Sequence, residues 1–127
     1  MEIEIPISPG ELVDKVSILK IKSENIKDPL KLKNVSYELN VLSKLMKDKL
    51  KMDFKDPDFE ELYIINLEIW HIEDNIRKKE KDKMFDNEFV QLARLVYLTN
   101  DRRAKIKKAI DITFKSKIGE EKSYEKY

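Results

Sequence analysis

Apolar residues recur along most of this chain at alternating spacings of three and four. The first run is Leu12, Val16, Leu19 and Ile26; the second is Leu32, Val35, Leu39, Leu42, Met46 and Leu50. The third is Leu62, Ile65, Ile69, Ile72 and Ile76, and the fourth is Phe89, Leu92, Val96, Ile110 and Phe114. That period lines one face of an α-helix and makes a seam for a partner helix. Ser8-Pro9-Gly10-Glu11 puts Ser at N-cap, Pro at N1 and Glu at N3, a capping box. Asp28-Pro29 and Asp56-Pro57 repeat the cap-then-Pro order, and Asp86 or Asn87 can cap a fourth helix. The pattern predicts helices over 9–26, 29–52, 57–80 and 87–116. Short connections between long helices favour antiparallel neighbours, so the expected fold is all-α, an antiparallel four-helix bundle. It is expected to be a single helical domain over 1–127, with an extended N-terminal segment (1–8) and a C-terminal tail (117–127).

Two features depart from the simple bundle. Glu2-Ile3-Glu4-Ile5-Pro6-Ile7 alternates like a half-buried strand, and Pro6 suits only an edge. Both ends are expected to pack on the bundle or on each other. The third helix also carries a second apolar flank of Phe59, Tyr63, Ile64, Leu67 and Trp70. One partner helix does not need that flank, so it points to a second neighbour or a second subunit. With the alternating N-terminal segment, it makes self-association as a homodimer the expectation.

Composition narrows the classes. Charged residues reach 40%, yet 26 basic residues face 25 acidic ones and the net charge is +1. That balance gives no global field to hold nucleic acid or an anionic membrane, so neither is expected as a partner. There is no cysteine, which rules out disulfides and thiolate metal sites and fits a cytoplasmic location. The start of the chain lacks the basic residues and apolar run of a signal peptide, and no stretch approaches the roughly 20 apolar residues of a membrane helix.

The most informative chemistry is a stripe of polar residues where the pattern calls for core. Asn66, Glu73 and Arg77 fall in the apolar sector of the third helix, and Asn100, Arg103 and Lys107 in that of the fourth. Unpaired burial of such groups is costly, so they should meet one another or a ligand. With the two helices folded back at about 82–86, Asn66 should approach Arg103, and Asn100 should approach Ile69, Trp70 and Glu73. One cluster of Asn66, Glu73, Asn100 and Arg103 is therefore expected. Either it is a structural network that fixes helix register, or it is a pocket between helices. In a pocket, Arg77, Arg103 and Lys107 would bind an anionic group. Glu73 and Asp101 would then serve as acid, base or metal ligand. Trp70 and Tyr97 could stack a sugar or base, but large aromatics at helical spacing are more often core.

Other chemistry is weaker. Glu73-Asp74 and Asn100-Asp101 bring to mind the acidic sets with which all-α nucleoside triphosphate pyrophosphatases hold magnesium. The spaced carboxylates of those sets, E-x-x-E then E-x-x-D, are absent, and adjacent residues on a helix point about 100° apart. A helical pocket of Arg, Lys and Glu like that of a chorismate mutase has no ordered motif behind it. His71 is the only His, which excludes a His-rich metal site, and it projects away from the seam. No glycine-rich phosphate loop, HExxH or GxSxG occurs. Ser123 has no nearby base. The lysines at 44, 47, 49 and 51, and at 78, 79, 81 and 83, sit among acidic neighbours without interleaved aromatics and read as solvated helix ends.

Five blocks carry a family resemblance: Ser8-Pro9-Gly10-Glu11-Leu12-Val13-Asp14-Lys15, Ile18 to Lys22, Leu67 to Arg77, Leu92 to Ala104, and Glu120-Glu121-Lys122-Ser123-Tyr124. In their order and spacing they resemble a small bacterial domain family of unknown function that covers essentially the whole chain. The resemblance implies a compact, mainly helical domain and supplies no reaction. An association of such domains with glycosyltransferases makes a nucleotide-sugar or glycan role one to test. Its motif residues include Trp70, Glu73, Asp74, Arg77, Asn100, Asp101 and Arg103. They also include Glu11, Asp14 and Lys15, and the Glu121–Tyr124 tail. A motif joining the stripe to both ends makes sense if the ends cover one mouth of the bundle.

The resulting expectation is a non-catalytic binding or protein-interaction module without cofactor. The alternative is a pocket protein or enzyme. It would act on a nucleotide, nucleotide-sugar or phosphorylated ligand through Asn66, Trp70, Glu73, Arg77, Asn100, Asp101, Arg103 and Lys107, and only then with Mg²⁺.

Overall fold

The computed structural model describes residues 1–127. It contains four helices: α1 (Pro9–Asn25), α2 (Pro29–Leu50), α3 (Pro57–Lys81) and α4 (Asn87–Thr113). The fold is an all-α four-helix bundle, and each helix begins where its cap stands. Asp28 Oδ1 accepts from the backbone of Leu30 at 3.0 Å, Asp56 Oδ1 from Asp58 at 2.9 Å, and Asp86 Oδ1 from Phe89 at 3.0 Å. These bonds satisfy donors that a helix leaves free at its first turn. Ser8 Oγ accepts from the backbone of Glu11 at 3.1 Å, but the Glu11 carboxylate does not complete the expected box. It pairs with Lys107 on α4 at 2.8 Å, because a charge-assisted bond to a buried cation is stronger than one to a neutral backbone amide.

The helices are not equivalent. α1 packs against each of the other three, and α3 packs against α4. α2 touches only α1 among the helices. α1 therefore runs through the middle, with α2 on one side and the α3–α4 hairpin on the other. The side-chain pairs Glu68–Arg102 and Lys79–Asp86 show α3 and α4 to be antiparallel. The pairs Gly10–Asp111, Glu11–Lys107 and Asp14–Arg103 show the same for α1 and α4. The apolar core joins Leu12, Val13 and Val16 of α1 with Met46, Met52, Phe59, Leu62, Ile65 and Ile110. No helix is long and apolar enough to cross a membrane.

Central placement explains why α1 is buried on two sides. It contributes eight buried residues, while α2 buries only Met46 completely. The outer side of α2 leaves Leu30, Tyr37, Val41 and Leu45 exposed. The second flank of α3 is mostly covered from within the chain. Phe59 is in the core and stacks on Phe54 with ring centres 5.0 Å apart. Tyr63 reaches Glu24 of α1 at 2.7 Å, Leu67 and Trp70 are half-buried, and only Ile64 is exposed. The flank that pointed to a second subunit thus finds its neighbours in α1 and in the 51–56 connection.

The N-terminal segment is extended but forms no strand, since no other extended segment pairs with it. It lies against α2, where Tyr37 donates to Glu2 Oε1 at 2.8 Å and Ile7 touches the core. The C-terminal segment goes elsewhere. It turns back along α4, where Glu120 meets Lys107 and Tyr127 donates to Asp101. Both ends pack on the bundle, on different helices.

Candidate functional site

Spacing on α1 brings Gly10, Asp14, Ser17 and Ile21 nearly into one line at 100° per residue. This line faces α3 and α4 and carries the polar centre of the molecule. Asp14 is completely buried. Its Oδ1 accepts from Asn66 Nδ2 at 2.9 Å and from Arg103 Nε at 2.8 Å, and its Oδ2 accepts from Arg103 Nη2. The guanidinium thus grips the carboxylate through two parallel bonds, the geometry that suits Arg best. Asn66 divides its amide between Asp14 and Ser17 Oγ, the latter at 2.8 Å, and Ser17 in turn donates to the Asp14 carbonyl at 2.7 Å. No buried side-chain polar atom is left without a partner.

One turn further along α4, Lys107 is also buried. Its ammonium meets Glu11 at 2.8 Å, Glu120 at 2.8 Å and Asp14 at 3.9 Å. Burial works against its charge, but the hydrogen bonds to Glu11 and Glu120 and the field of Asp14 outweigh it and raise its pKa above the ordinary lysine value. The bond to Asp14 likewise raises Arg103, against its desolvation. On the other side, Lys107 holds the Glu120 carboxyl below its ordinary value of 4.5.

That last shift sets a pH window. The folded-state pKa of Glu120 is depressed, so its contribution is present above the ordinary glutamate range and fades as pH falls through the lowered value. Lys107 is raised, so its share persists until pH climbs past the ordinary lysine value of 10.5. Acidification through that lowered value is expected to release the segment around Glu120. In amide spectra recorded as a pH series, signals of Gly119 to Tyr127 should move to random-coil positions while those of α1 and α4 hold.

The expected cluster of Asn66, Glu73, Asn100 and Arg103 forms only in part. Asn66 and Arg103 do converge, but through Asp14, which lies between them. Asn100 does not reach Trp70 or Glu73. Its amide bonds back to the Val96 carbonyl at 2.9 Å, and its oxygen takes a long contact from Arg103 at 3.4 Å. Glu73 is outside the network and pairs with Arg77 at 3.2 Å on the surface. The Arg77 side chain is 79% exposed, at the rim of an open cleft between α1 and α3. Such i,i+4 pairs contribute little. Glu73→Gln is therefore expected to change the melting temperature by less than about 2 °C, measured by circular dichroism. Asp101 faces the C-terminal segment and receives the Tyr127 hydroxyl. His71 is exposed.

Arg103 separates two hollows. On one side is an open cleft of about 380 Å³ lined by Ile18, Ile69, Trp70, Glu73, Arg77 and Asn66. On the other is a polar notch lined by Glu11, Asn100, Lys107, Glu120 and Lys122. No group of three or more His, Asp or Glu side chains comes close enough to hold a metal ion. The residues that sequence reasoning passed over as members of the stripe are Asp14, Ser17, Glu11 and Glu120. The signal for the first two was available in the spacing of Gly10, Asp14 and Ser17, small and polar residues on a second face of α1.

No curated protein and no solved structure matches this chain. The sequence profile of a family of unknown function, DUF6165, matches residues 1–127, from one end of the chain to the other and through every block that builds the network. The chain belongs to that family.

Proposed function

We propose that this protein is a non-catalytic protein-interaction module whose polar stripe is a structural network. One observation carries the reading: every cation expected to grip an anionic ligand is already answered. Arg103 is held by Asp14, Lys107 by Glu11 and Glu120, and Arg77 by Glu73. A ligand phosphate would meet these carboxylates as well as the cations, and repulsion would offset the gain. A satisfied buried network of this kind sets helix register. Meanwhile large apolar side chains stay uncovered on the outer side of α2, as in Leu30 at 76% and Tyr37 at 61% exposure, with Ile3 beside Tyr37 and Val41. Clustered apolar surface of this type marks contact with another macromolecule.

A second reading rests on the open cleft. Its volume of about 380 Å³ and its Trp70 wall fall within the range of small-ligand sites. A thermal-shift panel separates the two. It holds Mg²⁺, Mn²⁺, nucleotides, nucleotide sugars, phosphorylated sugars and simple anions, with wild type and Trp70→Leu side by side. The interaction reading expects no class to raise the melting temperature. A ligand present at 100 times its dissociation constant adds about 2.7 kcal/mol, a rise of several degrees. Such a rise with one class, lost in Trp70→Leu, would replace the interaction module with a pocket protein.

A further inference from the structure

The C-terminal segment is bound to the bundle in an unusual way. From Lys117 to Tyr127 every residue is exposed, and no backbone–backbone hydrogen bond ties the segment to a helix. Two side-chain anchors hold it. The Glu120 carboxylate enters the notch on Lys107 at 2.8 Å. Seven residues on, Tyr127 donates to Asp101 and sets its ring edge-on to Tyr97, with centres 5.4 Å apart. The segment therefore runs antiparallel to α4 as a strap from Lys107 back to Tyr97.

The notch selects what can occupy it. Without the strap, Arg103 and Lys107 face Asp14 and Glu11, two cations against two carboxylates. A dianionic phosphate would leave that balance strongly negative. A carboxylate that arrives with its own cation would not, and the strap brings Lys122, which stands 3.8 Å from Glu120. The groove thus fits an extended segment with Glu, then Lys two positions later, then Tyr seven positions after the Glu. The chain itself supplies that order as Glu120, Lys122 and Tyr127.

The turn that folds the strap back has a cost. Lys115 sits at φ 53°, in the left-handed region that a residue with a Cβ avoids. Extending the strap to a neighbour removes that cost and keeps both anchors. We infer that two copies of this chain exchange straps, each placing its Glu120 on the partner's Lys107 and its Tyr127 on the partner's Asp101. Exchange of an identical element gives a closed two-fold dimer with no new interface chemistry. This deepens the interaction reading by naming a second copy as the partner, and it rests on that reading.

The absence of cysteine allows a direct test. Full-length Asp101→Cys and Tyr127→Cys proteins are mixed, equilibrated at high concentration and treated with a short bismaleimide. The expected result is a cross-linked heterodimer, at least several-fold more abundant than in a control mix of Ile64→Cys with Tyr127→Cys. Adding Glu120→Gln to the Tyr127→Cys chain should reduce it, and so should Lys115→Gly, which lets the strap fold back without strain. Apart from the half-buried Asp101, the substituted positions are exposed, and unchanged helix melting confirms folding. No heterodimer above the control, together with intrachain cross-linking in the Asp101→Cys/Tyr127→Cys double variant, would overturn strap exchange. That outcome is distinct from failure of the interaction reading, which a ligand-induced shift lost in Trp70→Leu would report.

Discussion

Replacing Asp14 with Ala is expected to lower stability by about 3 kcal/mol, the lower end of the cost of breaking a buried ion pair. For a chain of this length that corresponds to a fall of about 10 °C in melting temperature. The reason is asymmetry. Asp14 accepts from Asn66 and twice from Arg103 while lying within 3.9 Å of Lys107. Its removal takes both carboxylate bonds from the half-buried Arg103 and one of two bonds from the buried Asn66, which keeps only Ser17, and the guanidinium retains its desolvation penalty. The lower end applies because the Arg103 side chain remains 25% exposed and can turn to water. Arg103→Met should cost at least as much as Asp14→Ala, since it leaves the completely buried Asp14 carboxylate with Asn66 as donor and Lys107 at 3.9 Å as its only nearby cation. The double variant Asp14→Ala/Arg103→Met should recover part of the loss, because removing both charges leaves neither one buried without its partner. Urea unfolding of the four proteins as a cycle reads the coupling directly. A cycle with no coupling would show that the pair does not hold α1 to α4.

Gly10→Ala should be nearly as damaging, by about 2–3 kcal/mol, although it adds only one methyl. Gly10 lies in the first turn of α1, buried against α4. A Cβ there would overlap the carbonyl oxygen of Lys107 and stand 2.8 Å from Asp111 Oδ1. The backbone oxygen cannot rotate away as a side chain could, so α1 must lift at its start. Lifting it also strains three bonds that need the close approach: Gly10 N–H to Asp111 at 2.7 Å, Glu11 to Lys107, and Asp14 to Arg103. In a free helix the same substitution would stabilise by up to about 1 kcal/mol, since Ala is the better helix former. The sign of the change in melting temperature therefore decides the matter, and a rise would mean that α1 and α4 are not in backbone contact.

The two glycines and the three left-handed residues illustrate how local rules and tertiary demands trade places. Lys51, Lys83 and Lys115 all take positive φ just past helix ends, where Gly is the usual choice. Gly10 stands inside a helix, where Gly is normally unfavourable. Close packing explains the second. Lys51 donates to the Asp48 carbonyl at 3.0 Å and Lys83 pairs with Glu80 at 3.5 Å, while nothing around Lys115 calls for its side chain.

The helices themselves were legible in the chain. Apolar periodicity, three Asp or Ser caps followed by Pro, and Asp86 ahead of α4 place every helix start where the structure has it, and the ends fall within three residues. Such signals act over three or four residues, so local sequence suffices. The polar positions Asn66 and Arg103 were also legible, because a polar residue in an apolar sector stands out against a regular background.

Only the tertiary structure decided which residues those groups meet. Periodicity gives the angle of a side chain about its own helix axis and says nothing of which neighbour lies at that angle. α1 turned out to be central, so its second face of Gly10, Asp14 and Ser17 became the hub of the network, with Arg103 arriving from 89 positions away. Glu73 and Arg77, equally well placed by angle, line an open cleft beside α1 and pair with each other there. The extra flank of α3 found Phe54 and α1 inside the chain, while α2, with a regular seam of its own, was left half uncovered. These outcomes depend on where helices cross and end relative to one another, and that is set by close packing between segments far apart in sequence.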